Sequence, residues 1–84
     1  MSLRLVYFAW VRDRVGRGQE EVEPPGDVAT VAGLVAWLRG RGEEYAHAFE
    51  ADAVRAAVDH VHAHADTPLA GAREVAFFPP MTGG

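Results

Sequence analysis

The sequence predicts an α+β domain of the β-grasp type: a mixed sheet with one main helix packed on one face. Three observations predict it. An apolar, aromatic-rich opening segment is followed across a glycine-rich reversal by a short segment of alternating polarity, the pattern of paired strands. One amphipathic helix then follows, and after it the chain returns to short strand patterns. Strands, a helix laid across one face, then more strands make a two-layer α+β arrangement rather than a βαβ repeat. At 84 residues there is room for one small domain. Residues 1–78 are assigned to the domain and residues 79–84 to an extended tail.

Leu3 to Val11 reads as the first strand. Period two puts Leu3, Leu5, Tyr7, Ala9 and Val11 on one face and Arg4, Val6, Phe8 and Trp10 on the other. The second face is too apolar for plain exposure: either the sheet is covered on both sides or Val6, Phe8 and Trp10 meet a partner, and because one small chain covers both faces with difficulty, a partner is the expectation. Arg12 to Gly16 reads as one helical turn stopped by Gly16, and Gly18 to Glu23 as the second strand, Val22 inward and Glu21 and Glu23 outward. Pro24-Pro25-Gly26-Asp27 is loop. Thr30 caps the main helix, where Val31, Leu34, Val35 and Leu38 form one stripe and Gly40 and Gly42 end it. Glu43 to Ala51 reads as a second short helix with Tyr45, Ala48 and Phe49 inward. Val54–Val58 and Val61–Ala65 read as short strands around an Asp59-His60 turn. Glu74 to Phe78 is the last strand, with Val75 and Phe77 on one face and Ala76 and Phe78 on the other.

Composition excludes several functions. The net charge of −4 argues against nucleic acid, which requires a basic stripe. All eight basic residues are arginine, so no Schiff-base lysine exists. Without cysteine there is no thiolate metal site and no cysteine nucleophile. The longest apolar run, Leu5 to Val11, is too short to span a bilayer, and the opening residues do not resemble a signal peptide. The cytoplasm is the expected location.

The side-chain constellations are weak. His60, His62 and His64 alternate, but a turn at Asp59-His60 breaks their common face, so no metal site is assigned and they read as solvated edge residues. Glu20, Glu21 and Glu23, with Glu43 and Glu44, read as exposed strand and helix-start residues rather than paired acid–base carboxylates. Gly16-Arg17-Gly18 lacks the strand–loop–helix context of a phosphate loop. A free-standing enzyme is not expected.

The tail is the remaining candidate. Pro79 and Pro80 favour an extended course out of the last strand. Six residues reach at most about 20 Å at ~3.3–3.6 Å each. Met81 and Thr82 continue the arm, Gly83 has no Cβ to obstruct a narrow channel, and Gly84 offers its α-carboxylate.

From these residues the chain resembles the small subunit of molybdopterin synthase, a ubiquitin-like sulfur-carrier family. The resemblance is carried by Leu5-Val6-Tyr7-Phe8-Ala9-Trp10-Val11-Arg12-Asp13, Thr30-Val31-Ala32-Gly33-Leu34, Ala57-Val58-Asp59, Asp66-Thr67-Pro68-Leu69, Glu74-Val75-Ala76-Phe77-Phe78-Pro79-Pro80 and the terminal Met81-Thr82-Gly83-Gly84. Asp59 stands where the family usually has Asn, and Ala70-Gly71-Ala72 where it usually has an acidic turn.

The resemblance implies that a ubiquitin-activating-type adenylyltransferase uses ATP to adenylate Gly84, and that sulfur then replaces AMP to leave a C-terminal thiocarboxylate. It implies no permanently bound cofactor. The tail would enter a large synthase subunit holding cyclic pyranopterin monophosphate, within a heterotetramer, and two sulfur transfers would give the dithiolene of molybdopterin. Val6, Phe8, Ala76 and Phe78 are the expected docking face. A carrier for thiamine or tRNA thiolation, or a ubiquitin-like protein modifier, would share the tail chemistry.

Overall fold

The computed structural model describes residues 2–50 and 53–80. The predicted tail residues Met81, Thr82, Gly83 and Gly84 lie outside the described residues, as does Ala51, the expected end of the second helix. Eight elements follow one another: β1 (Leu3–Tyr7), α1 (Ala9–Val15), β2 (Gln19–Val22), α2 (Val31–Arg39), α3 (Glu43–Ala48), β3 (Arg55–Val58), β4 (Val61–Ala63) and β5 (Glu74–Phe78). The sheet order is β2-β1-β5-β3-β4. β5 pairs parallel with β1, and every other pairing is antiparallel. The last strand in sequence is thus the middle strand in space, and the mixed sheet with its helices on one face is the predicted β-grasp architecture.

The first strand is shorter than the sequence reading. β1 stops at Tyr7, and α1 occupies Ala9–Val15. Ala9 turns the chain at φ 53°, in the left-handed region that a strand cannot use. Both period two and the helical period bury Val11 and Val15; the exposed Ala9 and Asp13, which period two would turn inward, mark the helix. Gly16 ends the helix as expected, at φ 91°, with its N–H donating to the Arg12 carbonyl at 2.8 Å.

α2 is built as the sequence predicts, and its first four N–H groups are all satisfied. Val31 donates to the Thr67 carbonyl at 3.1 Å and Ala32 to that of Ala65 at 2.8 Å. Gly33 donates to the Thr30 hydroxyl at 3.1 Å and Leu34 to the Thr30 carbonyl at 2.9 Å. The loop after β4 therefore fixes where the main helix starts. Its stripe buries Val31, Leu34 and Leu38, with Val35 and Trp37 half-buried at the edge. These meet Leu3, Leu5, Tyr7, Val75 and Phe77 from the sheet and Val11, Val15, Tyr45 and Ala48 from the other helices in one core. α3 ends at Ala48, earlier than expected, though Phe49 is buried as predicted.

β3 and β4 are each trimmed at one outer end relative to the sequence reading, to Arg55–Val58 and Val61–Ala63. The turn between them falls on Asp59 and His60, at φ 49° and 70°. Left-handed geometry at both residues suits a tight hairpin, and Asp is among the residues that tolerate it. The Asp59 carboxylate accepts from the backbone N–H groups of Arg73 and Glu74, both at 3.0 Å, so the substitution for Asn still ties this turn to the start of β5.

Glu20 corrects the reading of the acidic residues as exposed. It sits opposite Leu5 on the core side of the sheet, and its side chain is 8% exposed. Its Oε2 accepts from the phenol of Tyr7 at 2.8 Å and of Tyr45 at 2.6 Å. Its Oε1 accepts from Arg17 at 3.3 Å and Arg41 at 3.4 Å. Arg41 in turn lies over the rings of Trp37 and Tyr45, at 5.2 and 5.1 Å. Burial by itself would raise the Glu20 pKa, but the hydrogen bonds from Tyr45 and Tyr7 and then the two guanidinium groups outweigh it and hold the carboxyl below the usual carboxylate range. Burial and the bond to that carboxylate push both phenols up.

Two outcomes follow. The domain's whole stability should be on the order of 4–12 kcal/mol. Phe77→Ala should remove roughly 3–5 kcal/mol of it, whereas Phe78→Ala should cost about 1 kcal/mol; urea unfolding of both variants checks the contrast. Glu20, with its folded pKa depressed, stabilises fully above the unfolded carboxylate pKa and loses that contribution as pH falls through the folded value. Between about pH 6 and pH 3 the urea midpoint of the wild type should therefore fall more than that of Glu20→Gln; equal slopes would remove Glu20 from the acid response.

Candidate functional site: the tail root and the open sheet face

The site is built from the end of β5. Phe77 is buried, and Phe78, one residue on, is half-buried on the opposite face. The alternation arises because β5 is hydrogen-bonded on both sides, Phe77 lying opposite Tyr7 on β1 and Ala56 on β3. The ring of Phe77 stacks on Tyr7 at 6.1 Å and meets Phe49 edge-on at 4.9 Å. The Phe8 N–H donates to the Phe77 carbonyl at 3.0 Å. Backbone and side chain are thus both held at the last residue before the strand's end. Pro79 and Pro80 follow immediately and are half-buried.

The predicted docking residues come together. Val6 lies directly opposite Ala76 on the face away from the helices. Phe78 ends the same face of β5, opposite Arg55. Phe8 reaches this region by a different route from the one expected. It is no longer a strand residue but the extended cap of α1, 48% exposed, and its hydrogen bond to Phe77 keeps it at the root of the tail.

The sequence reading missed two neighbours. Ala57 lies opposite Ala76, and His62 lies opposite Ala57, so the face runs Val6–Ala76–Ala57–His62 across four strands. The His62 ring is 6.3 Å from that of Phe78. Period two on β3 carried the signal, with Ala56 buried and Ala57 outward, but two adjacent alanines conceal a phase that a larger side chain would display. The same face is rimmed by charge: Arg4 and His60 approach the two oxygens of Glu74 at 4.0 and 3.6 Å.

The histidines divide as the turn dictates. His60 goes to Glu74, while His62 and His64 stand edge to face with centroids 6.1 Å apart. Among the described residues no three metal-ligating side chains converge, and no helix is long and apolar enough to cross a membrane.

Chemically, the arrangement offers a rigid launching point and an apolar patch beside it. Such a patch suits burial against another protein, since single apolar residues are ordinary on a surface but a contiguous set beside a fixed chain exit is not.

The sequence matches the model of the ThiS family over residues 5–84. It is 38% identical over 82 residues, 98% of this chain and 99% of the relative, to the molybdopterin synthase sulfur carrier subunit of Escherichia coli strain K12. The crystal structure of SAMP1 from Haloferax volcanii has a TM-score of 0.74 at 26% identity, with both chains covered completely. A putative molybdopterin converting factor, subunit 1, from Pyrococcus furiosus has a TM-score of 0.73 at 25% identity, covering 96% of this chain and 99% of its own. With the sequence match running from β1 through the tail, the chain belongs to the ThiS family.

Proposed function

We propose that the chain is the sulfur carrier of a molybdopterin synthase. The observation that carries this reading is the similarity over 98% of the chain to a protein of that name. The support from geometry is a tail whose root is fixed in the middle strand and whose neighbouring face is apolar.

The chemistry resides in the Gly84 carboxylate. A carboxylate is a poor electrophile. Attack of its oxygen on the α-phosphorus of ATP, with pyrophosphate leaving, creates an acyl-adenylate and supplies a good leaving group. This step belongs to a ubiquitin-activating-type adenylyltransferase. A sulfur nucleophile at the hydrosulfide level then attacks the carbonyl carbon, AMP departs, a proton is released and a thiocarboxylate remains. In the large synthase subunit the thiocarboxylate sulfur bonds to a side-chain carbon of the cyclic pyranopterin precursor as that carbon's C–O bond breaks, the oxygen leaving as water or with the opened cyclic phosphate. Water cleaves the resulting thioester and returns the carboxylate. Two such transfers make a dithiolene, and a heterotetramer with two carriers supplies both.

This assignment gives the residues their roles. Carrying sulfur on the terminus requires no cysteine, and the sequence has none. Gly83 and Gly84 let the tip pass through two different active sites. Pro79 and Pro80, with their fixed φ, and Met81 and Thr82 after them are the residues assigned to position that tip. Val6, Phe8, Ala76 and Phe78 dock on the large subunit. ATP-dependent activation suits the cytoplasm.

Intact-mass measurement after incubation with ATP, a sulfide source and the activating enzyme should show one oxygen-to-sulfur exchange, located at Gly84. A competent enzyme that leaves the mass unchanged would sink the proposal, and Gly84 joined to lysines of other proteins would point to a modifier instead. One extra glycine after Gly84 should abolish sulfur transfer with the fold intact, because the reactive carbonyl is displaced by a residue. Phe78→Asp should weaken binding to the large subunit about tenfold or more while the variant remains folded; an unfolded variant would reassign Phe78 to the core.

A further inference from the structure

Glu20 is remote from the docking face, yet it joins the two aromatic walls that hold Phe77. Its Oε2 accepts from Tyr7 at 2.8 Å, and the Tyr7 ring is one wall. The same oxygen accepts from Tyr45 at 2.6 Å. Tyr45 lies one helical turn before Phe49, the other wall, and the Phe49 N–H donates to the Tyr45 carbonyl at 3.0 Å. One carboxylate oxygen therefore sets β1 and α3 relative to each other, with Phe77 filling the angle between them. Arg17 and Arg41 hold the other oxygen, which prevents the carboxylate from rotating.

Apolar packing is non-directional, whereas short hydrogen bonds to a charged oxygen are directional. A largely buried carboxylate is also an inefficient source of stability, since well-packed apolar residues in its place are often equally stabilising. Its distinctive contribution is geometric. Phe77 is the last buried residue before Pro79 and Pro80, so a tilt of its ring or carbonyl changes the direction in which the tail leaves.

We propose that Glu20 is a positioning residue for sulfur transfer: by clamping Tyr7 and Tyr45 it fixes Phe77 and thereby aims the Gly84 tail. The inference rests on the sulfur-carrier reading for its transfer measurement but not for its structural one. Glu20→Gln in the full-length chain keeps the side-chain shape and removes the charge that grips four donors. Two readouts test it at a temperature where circular dichroism shows both proteins folded. In the chain alone, the NMR signals of the Phe77 and Phe78 amides and of the Phe49 and Phe77 rings should move, with the Ala63 amide unchanged. In single-turnover transfer with the large subunit saturating, the rate should fall about tenfold while affinity for that subunit stays within twofold. Unmoved Phe77 and Phe78 signals, or a rate within twofold of wild type, would overturn the proposal. Tyr45→Phe, which removes one donor and keeps the ring, should change both readouts in the same direction by less. If Glu20→Gln does not fold, Tyr45→Phe decides, and wild-type values in that variant overturn the proposal. If the wild type accepts no sulfur at all, the carrier reading fails and the NMR comparison alone judges the clamp.

Discussion

The pairing of β5 between β1 and β3 is the constraint on which the rest of the structure depends. Its parallel register with β1 brings Tyr7 beside Phe77, and its antiparallel register with β3 brings Ala56 to the other side. A central strand is committed in register on both edges, so the position of its last residue is settled by the whole sheet rather than by a local turn. Its alternation also divides the two phenylalanines: Phe77 enters the core and Phe78 remains on the open face. The domain can be viewed as a device that holds one strand end still.

On the sulfur-carrier reading, that division separates two demands that conflict in one segment. A reactive terminus must enter other proteins' active sites, which favours a thin backbone and few contacts. A carrier must also be recognised, which favours a fixed apolar surface. Here the change from one to the other falls at the proline pair after Phe78. The polar framework works toward the same end. Asp59 ties the β3–β4 turn to the first residue of β5, while Glu20 ties β1 and α3 around its far end.

Much of the fold was legible in the sequence where one periodicity prevailed. The Thr30 cap, the Val31–Leu38 stripe and the two-faced Glu74–Phe78 strand were all readable, because each pattern is long or bounded by clear signals. The β1–α1 boundary was not, because Val11 is inward in either periodicity and only the left-handed turn at Ala9 breaks the strand. Glu20 was misread because a carboxylate in an acidic strand looks solvated; its partners Tyr7, Arg17, Arg41 and Tyr45 come from four separate places in the chain, and only the fold assembles them. Of the candidate site, the tail motif and the Val6–Ala76 and Phe78 face were visible from the residues. The extension through Ala57 to His62 was hidden in the sheet register.

The central claim is that sulfur resides on Gly84 and leaves from there. The most direct test bypasses activation. A chain whose Gly84 carboxylate has been chemically converted to a thiocarboxylate is mixed with the large synthase subunit and cyclic pyranopterin monophosphate, without ATP and without the activating enzyme. Molybdopterin should form, with the carrier returning to its carboxylate mass and two carriers consumed for each dithiolene. A thiocarboxylated carrier that binds the large subunit and the precursor yet keeps its sulfur would contradict the claim.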